Sequence, residues 1–324
     1  MDNFLFSINV TFPIFILMLL GYFLKRIGFF KDEFVSMLNK FVFKLALPVL
    51  VFSDLYKQDF AKAWDGRFVL FCFITTVLSI CIITAISFIV IKDNSRRGEF
   101  IQASYRSSAA LLGLAFIQNI YGSETSSMGA LMILGSVPLY NIFAVTVLTL
   151  TAQQSGKDNS SQPGLNKNLI IKTLKGIVTN PIILGIFFGI LWSLLKLPAP
   201  KIISTVITDI GNLATPLGLM AMGGSFEFKK ATKELIPSLV ASFMKLFGLA
   251  IIFLPVSIAL GYRNEQLIAL LVMYGSATTV SCFIMAKNMG HEGTLSSGII
   301  MMTTLGCSFS LTFWLFVLKS LGVI

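Results

Sequence analysis

Ten apolar stretches, each about as long as a lipid bilayer is thick, occupy most of this chain. A hydrocarbon core of about 30 Å needs roughly 20 helical residues to cross it. Segments meeting that rule fall near residues 4–25, 34–55, 67–91, 99–121, 126–151, 169–195, 202–224, 235–260, 265–288 and 294–320. Lipid offers no partner to backbone N–H and C=O groups, so such segments must be helical. The remaining composition agrees: 55% of the 324 residues are hydrophobic and 12% charged. An average soluble domain carries about 25% charged residues. The expected fold is an all-α membrane protein.

A net charge of +10 would suit a nucleic-acid partner only if the basic residues shared one face. They are scattered over short loops instead, as membrane topology requires. The first stretch has no basic region before it and no small-residue cleavage site after it, and Lys25 and Arg26 follow it. It reads as a first transmembrane helix rather than a signal peptide. Cys72, Cys81, Cys282 and Cys307 all fall inside apolar stretches without metal-ligand spacing. They are expected to be small buried hydrophobes, with no metal site.

The longest polar interruption, AQQSGKDNSSQPGLNKN at 152–168, divides five stretches from five and has the composition of a flexible linker. The halves match at a constant offset. Pro13 and Pro181, Gly21 and Gly189, Pro48 and Pro216, and Gly122 and Gly290 are each 168 positions apart. VTFP at 10–13 matches VTNP at 178–181, and LALP at 45–48 matches LATP at 213–216. Four matches in one register indicate a duplication, of 1–151 and 169–324. Five is odd, so a second copy enters the membrane from the opposite side. The copies are then inverted, an arrangement common among secondary transporters. Lys and Arg set the orientation: fourteen lie in the linker and the loops after odd-numbered stretches, seven in the other loops and the termini. This places the linker in the cytoplasm and both termini outside.

The fourth and ninth stretches are the least helix-like. RSSAALLG (106–113) and YGSATTVS (274–281) carry Gly, Ser and Thr where a lipid-crossing helix would carry aliphatic residues. Such residues either allow close helix packing or interrupt the helix, and interruptions at matching places in two halves point to a transporter's binding site. Pro48 and Pro216 should kink the second and seventh stretches. Of the charges inside stretches, Arg106 and Lys245 either snorkel to the interface or face a polar interior. Lys44 is expected at the interface, Asp54 at a span end, and Asp209 is the acid nearest a span interior. His291, the single histidine, is expected to be solvated. Phosphate-cradling, metalloprotease and nucleophile-elbow motifs are lacking, so an enzyme is not expected.

LALP and LATP, Asn180-Pro181, the RSS…GL…YG order in the fourth stretch and SCFIMAKNMG at 281–290 resemble the auxin efflux carrier family. The resemblance covers roughly residues 4–320. That family includes plant PIN-like auxin exporters and bacterial permeases for malate and other organic acids. It implies a scaffold domain, a transport domain, and broken fourth and ninth spans that cross near the substrate. The family's Arg-Ser-Asn pattern falls on Arg106, Ser107 and Ser108, with Ser108 in place of Asn. Its prolines fall on Ala115, near Gly113, and on Ala277.

The resemblance therefore implies a carrier for a small organic anion, such as malate or an auxin-like acid, working by alternating access. Arg106, Ser107, Ser108 and Gly113 would face Ser276, Thr278, Thr279 and Ser281, with Asn141 and Asn180 as further candidates. A guanidinium suits a carboxylate, and half-helix N-termini favour anions. Coupling could use Na+, a proton on Asp209, or neither. No cofactor or nucleic acid is expected. Membrane lipid is the surrounding partner, the bacterial inner membrane the location, and homodimers are common in the family. The rival readings are a non-transporting receptor or regulator of the same fold, which would bind without flux, and a channel, whose flux would not saturate.

Overall fold

A computed structural model describes residues 2–58, 64–109, 117, 120, 127–152, 167–227 and 232–324. Gly113, Ala115 and nearly all of the 152–168 linker lie outside the described residues. In chain order the helices are α1 (Asp2–Arg26), α2 (Asp32–Phe41), a π-turn (Val42–Ala46), α3 (Leu47–Tyr56), α4 (Gly66–Val90) and α5 (Asn94–Tyr105). They continue with α6 (Ser127–Thr151), α7 (Lys167–Val178), α8 (Pro181–Leu194), α9 (Lys201–Asn212) and α10 (Ala214–Gly224). The last are α11 (Leu235–Phe243), a second π-turn (Met244–Gly248), α12 (Leu249–Ala259), α13 (Asn264–Gly275), α14 (Ser281–Asn288) and α15 (Thr294–Ser320). Among the described residues no strand forms, only one bridged pair, Ser107 with Thr278.

Six described helical segments are long and apolar enough to cross a membrane: Asp32–Tyr56, Gly66–Val90, Met128–Thr151, Lys201–Gly224, Leu235–Ala259 and Thr294–Ser320. Their outward faces are apolar, with Ile89 83% and Ile202 81% exposed. A surface of this kind belongs in lipid. The chain is an integral membrane protein. Many buried hydroxyls bond within their own helices: Thr75 donates to Phe71 O, Ser136 to Met132 O, and Ser257 to Phe253 O.

Helix ends follow local chemistry. Asp65 and Asp93 accept backbone N–H bonds at the starts of α4 and α5. The sixth stretch, expected as one helix, is two. Asn180 caps α8 by accepting from Ile182 N, and Pro181 occupies the first turn, where its missing N–H costs nothing. The two kink prolines also sit at interruptions. A π-turn runs into Pro48, and α9 ends just before Leu213, three residues short of Pro216.

The helices fall into two groups joined where α1 packs on α15, with α7 lying against α6. In one, α3 packs on α8 and α1 on α10, with α2 and α9 alongside. In the other, α4, α5, α6, α11, α12, α13, α14 and α15 pack together. Glycines set the spacing in the first group. A Cβ on Gly223 would lie 2.0 Å from Met18 O, and one on Gly21 would lie 2.2 Å from Met220 O. Across the other pair, Cβ atoms on Gly185 and Gly189 would lie 2.4 Å from Pro48 O and 3.1 Å from Phe52 O. Backbone meets backbone at these points, as small-residue helix packing allows.

Several expectations are corrected here. Cys81 is exposed on α4, while Cys72, Cys282 and Cys307 are buried as anticipated. His291 is not solvated: it is buried, with Nδ1 2.9 Å from Ser95 O and Nε2 2.9 Å from Leu148 O, because the turn after α14 folds it back onto α5 and α6. Lys44 is exposed, as expected.

Replacing Gly223 with Val should push α1 from α10 and destabilise the protein by about 1–3 kcal/mol, the usual cost of overpacking. Thermal unfolding of the purified protein in detergent measures this; an unchanged midpoint would mean that these helices do not touch there.

Candidate functional site

Helix α5 ends where the apolar pattern gives way to Arg106-Ser107-Ser108. Arg106 N makes the last helical bond, to Gln102 O at 3.2 Å, and the residue itself is extended, at φ −75° and ψ 125°. Helix α13 ends in the same way at Gly275, with Ser276 extended at φ −86° and ψ 169°. The two opened segments run antiparallel against each other. Ser108 N donates to Ala277 O at 2.9 Å, and Thr278 Oγ1 donates to Ala103 O at 2.7 Å. The fourth and ninth stretches thus meet at a ladder of one antiparallel bridge, Ser107 with Thr278, inside a helical protein.

At the second break, side chains from neighbouring helices take up most of the freed backbone. Ala277 N donates to Cys307 Sγ and Thr278 N to Thr303 Oγ1, both on α15. Gly275 O accepts from Ser310 Oγ, while Met273 O and Tyr274 O accept from Lys245 Nζ. Among the described residues the amides of Val280 and Ser281, at the N-terminal end of α14, have no main-chain acceptor. An anion is favoured at such a place.

Arg106 does not snorkel. It is 3% exposed, and its Nη2 donates to Asn141 Oδ1 at 3.0 Å and Ser281 Oγ at 2.9 Å. Nη1 reaches Gln102 Oε1 at 3.4 Å and Met285 Sδ, and among the described residues Nε has no partner. Asn141 is itself aimed by donating to Val137 O, and Gln102 by donating to Cys282 O. Among the described residues no carboxylate pairs with the guanidinium. A buried cation held by neutral dipoles alone is costly, and an anion in contact with it relieves that cost.

The guanidinium faces a cavity of about 430 Å³ between the two helix groups, within the usual range for small-molecule sites. One wall carries Arg106, Ser107, Ser108, Tyr140, Asn141, Thr278, Thr279 and Ser281. The opposite wall is largely apolar, from Ile14, Leu47, Leu50, Val51 and Ile182, with Asp54, Asn212 and Thr215 as its polar members. Seven of the expected residues therefore meet: Arg106, Ser107, Ser108, Asn141, Thr278, Thr279 and Ser281. Two stand apart. Ser276 is fully buried away from the cavity lining with an unpartnered hydroxyl, since its extended backbone turns it inward. Asn180 is used as the cap of α8, although its neighbour Ile182 does line the cavity. Pro48 and Pro216 are not in the lining, but Leu47, Ala214 and Thr215 beside them are. Asp209 is exposed on α9, and the acid at the cavity is Asp54. Sequence reading also missed Gln102, one turn before Arg106, and Tyr140, next to Asn141; both spacings were available in the sequence.

A helical membrane protein with paired broken segments and an orphan cation over a central cavity belongs to the class of membrane transporters. Comparison with known proteins identifies the family. Residues 6–315 match the model of the family described as "Membrane transport protein", so the chain belongs to this family, that of the auxin efflux carriers. It is 23% identical over 320 residues to an "Uncharacterized transporter" of Methanothermobacter thermautotrophicus, covering 97% of this chain and 99% of that protein. It is 24% identical over 322 residues to a "Putative malonate transporter" of Rhizobium meliloti, covering 96% of both.

Thr278→Val keeps the side chain's shape but leaves Ala103 O unpaired in the interior. The expected cost is about 1–3 kcal/mol, read as a lowered thermal midpoint. A midpoint equal to the wild type would show that the ladder is not held by this bond.

Proposed function

We propose that this protein is a secondary carrier that moves a small organic anion through the crossing of its two broken helices by alternating access. One observation carries the reading: Arg106 is buried, lacks a carboxylate partner among the described residues, and faces a cavity walled by two separate helix groups. A carboxylate would take the guanidinium, with Ser281, Asn141 and the Val280 and Ser281 amides around it. The relative named for malonate supports a short dicarboxylate as the first substrate to try.

The finer architecture belongs to the same proposal: ten spans, residues 1–151 and 169–324 as inverted repeats, a cytoplasmic 152–168 linker, and both termini outside the inner membrane. The packing supports it. Gly21 meets Met220 and Gly189 meets Phe52, and each member of one contact is 168 positions from its counterpart in the other. The group of α1, α2, α3, α8, α9 and α10 would be the scaffold, and the group holding Arg106 the transport domain.

Reconstituted wild-type protein should take up labelled malonate with saturating kinetics. Arg106→Ala should lower that uptake at least about 100-fold, the loss expected when a buried charge-assisted contact disappears. Arg106→Lys should retain part of it. Binding without flux would favour a receptor, non-saturating flux a channel, and undiminished uptake by the alanine variant would remove Arg106 from the site.

Coupling follows from which acid meets the cavity. Asp54 faces it from the apolar wall, with Lys57 one turn further along the chain, and Asp209 does not face it. Asp54 is thus the group placed to carry a proton with the anion. In Asp54→Asn, uptake should no longer respond to an imposed pH gradient; a response equal to the wild type would exclude Asp54 as the proton carrier.

A further inference from the structure

Lys245 lies in the π-turn that interrupts the helix pair α11 and α12, and its side chain is fully buried. The sequence left open a snorkelling lysine. The structure turns it inward, because the extra residue of a π-turn rotates the side chain away from the lipid face. Its Nζ donates to Met273 O and to Tyr274 O, each at 3.0 Å. Those carbonyls belong to the last turn of α13, where the helix breaks and its C-terminal dipole presents negative charge. Among the described residues Lys245 makes no ion pair. Ser276, two residues beyond Tyr274, is fully buried, and among the described residues its hydroxyl bonds neither Lys245 nor any other group.

Carbonyls at the C-terminal end of a broken helix are oxygens that Na+-coupled carriers use to hold their ion. Here an ammonium on a tether already occupies them. We propose that Lys245 is a built-in cation standing where a coupling Na+ would bind, so that this protein works without Na+. The charge that completes the ninth-stretch break then never leaves the protein. The transport arm of this proposal rests on the carrier reading; the binding arm does not.

The test compares full-length wild type with Lys245→Ala, purified in detergent, in NaCl and in choline chloride of equal ionic strength. The wild-type thermal midpoint should be the same in both salts. The alanine variant frees Met273 O and Tyr274 O, and its midpoint should rise by about 5 °C in Na+, saturably, as ligand linkage predicts. In proteoliposomes its malonate uptake should increase at least tenfold with Na+, while wild-type uptake stays unchanged. Saturable stabilisation of the wild type by Na+ would overturn the proposal, as would a folded alanine variant indifferent to Na+. Should that variant fold in neither salt, Lys245→Gln decides, since it keeps a donor without the charge. A tenfold loss of uptake at an unchanged midpoint supports the cation, and wild-type uptake overturns it. If even the wild type moves no malonate, the carrier reading fails, and the thermal comparison still judges Lys245.

Discussion

A backbone that opens inside a membrane exposes groups that lipid cannot satisfy, and the rest of this structure is arranged around that constraint. The breaks after Tyr105 and Gly275 would each strand several N–H and C=O groups. They lie against each other, so that Ser108 N and Ala277 O, and Thr278 Oγ1 and Ala103 O, satisfy one another. Helix α15 supplies Thr303, Cys307 and Ser310 to the same segment, which accounts for polar side chains on the buried face of an otherwise apolar span. It is in turn anchored to α5 through Glu99, which accepts from Gly293 N at 2.8 Å and from Ser296 N at 2.9 Å. Gly293 adopts φ +75°, a conformation that glycine takes without steric cost and that directs its amide to the carboxylate. The break after Gly275 therefore draws on α5, on α15 and on Lys245 of the second π-turn.

The parts of this design that depend on composition or period were legible in the sequence. Runs of about 20 apolar residues located the helices, and clustered Gly, Ser and Thr located both breaks. Arg106, Ser107, Ser108, Thr278, Thr279 and Ser281, which line one cavity, stood out because polar residues in an apolar run have few alternative uses. The Asn180-Pro181 cap was also written in the sequence, as an N-cap residue followed by a first-turn proline, but it lay inside a run long enough to read as one helix.

What escaped depends on direction rather than pattern. Lys245 and Arg106 carry long side chains that can turn either way from the same position, and only the π-turn at 244–248 and the packing of α6 decide it. No residue type marks that π-turn. Asp54 and Asp209 were ranked by distance from a span end, whereas access to the cavity depends on which helix face turns toward the other group. His291 fell near a loop and so looked solvated, yet it is buried by contacts with Leu148 and Ser95, 143 and 196 positions away in sequence.

The distribution of polar groups bears on how such a site can work. Every donor and acceptor that touches the Arg106 guanidinium (Gln102, Asn141, Ser281 and Met285) belongs to the same helix group as Arg106 itself. The facing wall offers mainly Ile14, Leu47, Leu50, Val51 and Ile182. If the two groups shift against each other in the proposed cycle, the cation keeps its hydrogen bonds and the contacts exchanged around the cavity are mainly apolar. Dispersion contacts are individually weak and non-directional, so a sliding wall re-forms them at each step, whereas a broken charge-assisted bond in the interior would cost several times more. A polar half that travels intact with its anion, against a mainly apolar half that makes no bond to the guanidinium among the described residues, favours a low barrier between two facing states.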